Sequence, residues 1–166
     1  MTTHVQQALI EQMMAAIAEN AMTARIRHRV VLYDETLLPP GVPLPLYGFM
    51  DGGTVYEHGS GQDAIQQVAI LAYQEIALDE RNAPGMMGYG SLTAPTIRQK
   101  GILRMLQEVH DVLNRQALPG YWKGFLVDED PTKLLEVETV NADGSEVAHR
   151  CWAVYKKAVY QYTKMT

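Results

Sequence analysis

Residues 145–162 alternate between two side-chain sets in a way that no helix would produce. Ala148, Arg150, Trp152, Val154, Lys156, Ala158, Tyr160 and Tyr162 fall on one side. Val147, His149, Cys151, Ala153, Tyr155, Lys157, Val159 and Gln161 fall on the other. Strands average only about five or six residues. One of this length, apolar on parts of both faces, exceeds what closing a small core requires, and it can reach from its own sheet into a neighbour's surface.

What precedes this strand supplies the cover for a sheet. Residues 98–118 carry Ile102, Met105, Leu106, Val109 and Leu113 at three- and four-residue spacing, the buried stripe of an amphipathic helix that ends before Pro119 and Gly120. Residues 3–22 read as a second helix, with Val5, Leu9, Met13 and Ile17 in line, neighbouring Ile10 and Met14, and Thr2 or Thr3 as N-cap. The segments 121–128 and 134–140 read as strands, and 141–144 as the hairpin turn into the last strand.

Between the helices, 25–33 reads as a strand with Arg25, Arg27 and Arg29 on one face, solvated or salt-bridged because no aromatic interleaving supports base stacking. Four prolines between 39 and 45 exclude regular structure over 34–46. Residues 46–50 and 54–58 read as a hairpin turning at Asp51, Gly52 and Gly53. Residues 62–76 fit either period; strand is favoured because Gly59, Ser60 and Gly61 let the chain return beside the hairpin. The loop 77–96 is long and holds Met86, Met87, Tyr89 and Leu92, costly residues to leave in water, so it reads as a docking loop. The expected fold is α+β: one domain over 1–166, with two helices on one face of a mainly antiparallel sheet.

The chemistry is quieter. A net charge of −5 argues against a protein whose task is gripping phosphates. The single cysteine, Cys151, excludes an intrachain disulfide and reads as a small core residue. No apolar run approaches the roughly twenty residues that span a bilayer, so no membrane partner is expected; no leader pattern opens the chain, and a reducing, cytoplasm-like place of assembly follows. The five histidines show no ligand spacing. The stretch from Gly85 to Gly90 fits neither phosphate-binding fingerprint. Asp128, Glu129 and Asp130 before Pro131 read as a solvated turn. No catalytic residue, cofactor or metal is expected.

The order of elements resembles that of the tail terminator and tail-completion proteins of long-tailed bacteriophages. The resemblance runs through 8–21, the leading helix; 31–40, which leaves the first strand towards a proline; 66–76, the central strand; 99–113, with its Lys-Gly-apolar helix start at Lys100, Gly101 and Ile102; and 152–162, the final strand. It covers most of the chain and implies a virion protein of the tail–neck region, assembled in the host cytoplasm. Such a protein forms a ring, usually of six subunits, that ends tail-tube growth and joins tail to head. Its implied partners are copies of itself, the tail tube protein and a head-completion or connector protein, with genomic DNA passing without specific binding. Acidity suits such a channel. Met86, Met87, Tyr89, Leu92, Trp152, Tyr160 and Tyr162 are the candidate partner-interface residues. The rival readings are a head–tail connector or stopper and, from another class, a small ligand-binding domain or enzyme using the 85–90 loop.

Overall fold

In a computed structural model of the protein, residues 3–39, 44–57, 63–75, 84–88, 100–139 and 149–165 are described. The chain runs through α1 (Val5–Glu19), a 3-10 turn (Thr23–Arg25), β1 (His28–Val31), β2 (Leu37–Leu38), β3 (Leu46–Glu57), β4 (Asp63–Glu75), the short α2 (Pro84–Met87), α3 (Ile102–Leu113), β5 (Phe125–Glu129), β6 (Lys133–Thr139) and β7 (His149–Thr163). The fold is α+β, a single domain in which α1 and α3 pack on a mainly antiparallel, mixed sheet.

The closing strand organises that sheet. Its order is β1-β3-β4-β7-β6-β2, with β5 also pairing β7. One side of β7 pairs with β4 from Ala153 to Thr163. Its other side pairs first with β6, then with β5. The predicted alternation holds along it. Val154, Ala158, Tyr160 and Tyr162 enter the larger core with Val68, Ile70 and Ala72 of β4, Tyr47 and Phe49 of β3, and the stripes Leu9, Met13, Ile17 and Ile102, Leu106, Val109, Leu113. Ala153 and Tyr155 enter a second core on the opposite face, with Leu46, Ala69, Leu71, Tyr73 and Val137.

The second core is closed without a helix. Val31 leaves β1 at one edge of the sheet and Leu37 enters β2 at the other. The segment between them crosses the face, burying Leu32 and Leu38 and accepting a 2.7 Å hydrogen bond from the Tyr73 hydroxyl at Glu35 O. Five strand spacings would measure roughly 24 Å in a flat sheet. Six residues reach only roughly 20 Å. The sheet therefore curls towards this strap. Gly48 is where the strap presses closest: a Cβ there would stand 2.6 Å from Leu32 Cδ1.

Several expectations are corrected. Arg25 lies in the 3-10 turn and β1 starts at His28, so the three arginines do not form one strand face. Asp51 to Gly53 do not turn the chain. β3 continues through them to Glu57 with a register shift between Asp51 and Thr54, and its antiparallel partner is β4. The 62–76 ambiguity resolves as strand. The proline-rich segment does hold a two-residue strand, parallel to β6. The N-cap of α1 is His4, whose Nδ1 accepts from Gln6 N at 3.1 Å. Of the loop 77–96 only Pro84 to Gly88 falls within the described residues.

Candidate functional site

The Lys-Gly-apolar start of α3 has a structural reason. Lys100 is buried, and its Nζ sits 2.7 Å from Glu108 Oε2, two turns along the helix. Arg104 Nε approaches the other carboxylate oxygen at 3.5 Å. Gln74 of β4 donates to Lys100 O at 2.8 Å. Gly101 faces the backbone of α2 so closely that a Cβ would stand 2.3 Å from Met86 O. A side chain would push α2 off the helix. Met86 consequently packs on the larger core, whereas Met87 points outward and is 63% exposed.

Tyrosines from the sheet hold the outer surface of this core. The Tyr47 hydroxyl donates to Met105 O at 3.1 Å, and the Tyr162 hydroxyl donates to Leu113 O at 2.9 Å, one of the carbonyls a helix end leaves unpaired. Burial pushes both phenols far above their usual pKa, with the Glu108 charge adding to the effect at Tyr47. Both stay neutral donors at any physiological pH.

Beside α3 opens a cleft of about 290 Å³. Leu103, Leu106 and Leu126 wall it, and Gln107, His110, Glu129, Lys156 and Tyr160 bring polar atoms to it. Tyr160 OH lies 3.4 Å from His110 Nδ1, and Lys156 Nζ lies 3.8 Å from Glu129 Oε1. Burial first, then the negative charge of Glu129, raises the Tyr160 phenol well above its usual value. The cleft thus offers a neutral hydroxyl, an imidazole and one ion pair over an apolar floor. That set can hold a small polar group or a partner's side chain. Nothing in the spacing of His110 along its helix announced it; the other half of the cleft comes from β5 and β7.

The candidate interface residues part company. Tyr160 and Tyr162 are interior, 1% and 0% exposed, because the even-numbered face of β7 lies under α3 there. Neither ring forms part of the outer surface, and Tyr160 reaches outward only through its hydroxyl at the cleft. Trp152, on the same face but beyond the helices, is 58% exposed. Leu134 of β6 joins it at 62%: it pairs with Val154 of β7, two residues along the ladder from the Glu136–Trp152 pair and on the same face. Tyr89 and Leu92 lie outside the described residues. The sequence reading missed Leu134 and a second exposed group, Trp122, Phe125 and Val127, along the segment flanking the C-terminal half of β7. Their alternation was visible, but not which of their faces would lack cover.

Among the described residues no group of three or more His, Cys, Asp and Glu is placed to hold a metal ion. No described helix is long and apolar enough to cross a membrane. No protein-family model matches the chain, and no curated protein matches it.

Proposed function

We propose that this chain is a structural subunit of a long-tailed bacteriophage virion, a tail terminator whose copies form a ring on the end of the tail tube and join it to the head. The observation that carries the reading is the β6–β7 arm. Beyond the helices' cover it keeps Leu134 of β6 and Trp152 of β7 exposed as diagonal neighbours on one face of the strand pair. Large apolar side chains clustered on a rigid strand pair suit burial against another protein. The head–tail connector reading draws on the same arm, and the neighbour found against Trp152 separates the two.

The test is tail assembly. Tubes polymerised with the wild-type protein should have one length and accept heads. With Trp152→Arg and Leu134→Arg combined, a folded protein should fail to cap them, giving overlong tails. Wild-type protein that neither binds tube ends nor limits their length would remove the terminator reading. The cleft at His110 and Lys156 favours a second reading, a small-ligand-binding domain. A calorimetric screen of small polar compounds, with Lys156→Ala as control, addresses it.

A further inference from the structure

β1 is an outer strand of the sheet. β3 lies on one side of it and, among the described residues, no strand lies on the other. Leu32 N donates to Phe49 O at 2.9 Å, so the backbone groups of Arg29 and Val31 face outward. A bare edge of this kind is a template for another strand. Val31 is level with Phe49 and shares its face, the one that α1 covers. β1 ends there, whereas β3 runs on to Glu57, which leaves a step in the edge. A groove of about 490 Å³ occupies the step between β1 and α1. Val31, Ile10 and Met14 make it apolar, and Val31 and the nearby Tyr33 are exposed.

Charge runs along this edge in one order. Arg27, His28 and Arg29 stand at the start of β1, and the first two, with Arg25, line a hollow beside it. Glu11 of α1 and Asp51 of β3 stand at the groove, both exposed. Val31 pairs with Phe49, so Asp51, further along β3, lies beyond the level of Val31. The edge is thus basic before Val31, apolar at it and acidic beyond it. Turned end for end, the same order reads acidic, apolar, basic, and each charge meets its opposite.

We propose that two copies of this chain pair edge to edge through β1, antiparallel, about a two-fold axis at Val31. The axis stands perpendicular to the sheet, so both copies keep their helices on the same side. Val31 of one copy and Val31 of the other exchange backbone hydrogen bonds, and their side chains meet at the apolar grooves. Arg29 of each copy then falls level with Asp51 of the other, and both lie on the helix face of the joined sheet. Its side chain reaches across the step towards Asp51 and Glu11. Arg29 Nη1 already donates to Ile26 O at 2.9 Å, and a guanidinium has further donors for this contact. A slip that set Arg29 against Arg29 would bring like charges together, which fixes the register. The contact is isologous and joins subunits in pairs. A pairwise joint cannot close a ring of six, so it goes beyond the ring reading and is tested in the free protein.

The experiment uses the full-length protein in solution. Sedimentation at rising concentration should give a wild-type dimer. Val31→Lys sets two ammonium groups at the two-fold and should weaken the dimer about ten-fold or more. Arg29→Glu should do the same, and Arg29→Glu combined with Glu11→Lys should restore it, with thermal melts showing that each variant is folded. In a Cys151→Ser background, Val31→Cys alone should give a covalent dimer on mild oxidation. A hydrogen-bonded antiparallel pair sets its Cα atoms about 5.5 Å apart, within disulfide reach. Val127→Cys, exposed on β5, should give none. A wild type that is monomeric at every concentration overturns the joint. So does an oligomer that ignores Val31→Lys and forms no disulfide in Val31→Cys. Neither result touches the terminator reading, which tail-length control decides separately.

Discussion

On one face of the sheet α1 and α3 lay down two apolar stripes; on the other, a five-residue strap, 32–36, and the curl of the sheet enclose Leu32, Leu38, Tyr73 and Tyr155. The cores on both faces reach near-complete burial. The helix face does so with elements that are amphipathic in themselves. The strap face does so with a segment that has almost no regular structure and gains its position from both ends, through β1 on β3 and β2 on β6. The stacked rings of Tyr73 and Tyr155, 5.9 Å apart, fill the space a helix would otherwise occupy. A face closed by a helix depends on that helix's stripe. One closed by a strap depends on the anchors at the strap's ends.

The comparison breaks most severely at Leu106, 4% exposed in the helix-face core. Leu106→Asp puts an unpaired charge there and should abolish folding. A soluble protein with a cooperative melt would show that α3 is not the lid of that face. Next comes the buried ion pair. Lys100→Ala strands Glu108 beneath the helix and should cost about 3 kcal/mol in denaturant unfolding, with Arg104 offsetting part of the loss. Lys100→Met/Glu108→Leu should regain most of that stability. No regain would mean that the pair does more than neutralise itself.

Two single-atom changes sharpen the contrast. Tyr162→Phe removes the hydrogen bond to Leu113 O, and Tyr73→Phe removes the one to Glu35 O. Each should cost about 1 kcal/mol. Amide exchange should separate them: Tyr73→Phe should speed exchange at Leu32, whose amide ties the strap to Phe49, and leave α3 protected. Equal acceleration on both faces would show that the two cores open as one unit.

The smallest effect is a pH effect confined to the strap. Asp34 Oδ1 accepts from Thr36 Oγ1 and Thr36 N, both at 2.7 Å, and these bonds hold its carboxyl below the ordinary value of 3.8. A lowered folded-state pKa contributes stability above the unfolded value and loses it as pH falls through the lowered one. The strap should therefore loosen first below about pH 3.8. Asp34→Asn should flatten that step in a pH series of amide exchange, with α1 unaffected in either protein.

Much of the helix face was legible because its signal is local. The stripes of α1 and α3, the alternation of β7 and the strand at 63–75 each lie within one window of sequence, and their periods follow from backbone geometry alone. The bounds were less legible: α3 spans Ile102–Leu113, well inside the 98–118 expected, because the buried Lys100 and the α2 backbone at Gly101 delay its start. The exposure of the candidate interface residues was legible in part. Trp152 kept its exposed place, but Tyr160 and Tyr162 could be told from it only by the reach of α3.

The α+β class, the two covering helices and the two-sided closing strand follow from the order of apolar and polar residues along short segments. That Asp51 to Gly53 make a bulge and not a turn depends on contacts across the sheet. Glycine and aspartate serve both, and the choice falls to Gln67 across the ladder, whose carbonyl oxygen would stand 2.7 Å from a Cβ at Gly52. Only the tertiary structure placed a strap over the second face, buried Lys100 against Glu108 and brought His110 to Lys156. The strap and the cleft join residues distant in sequence, and the Lys100–Glu108 pair is buried only because other elements cover it; the free energy of such contacts belongs to the assembled fold.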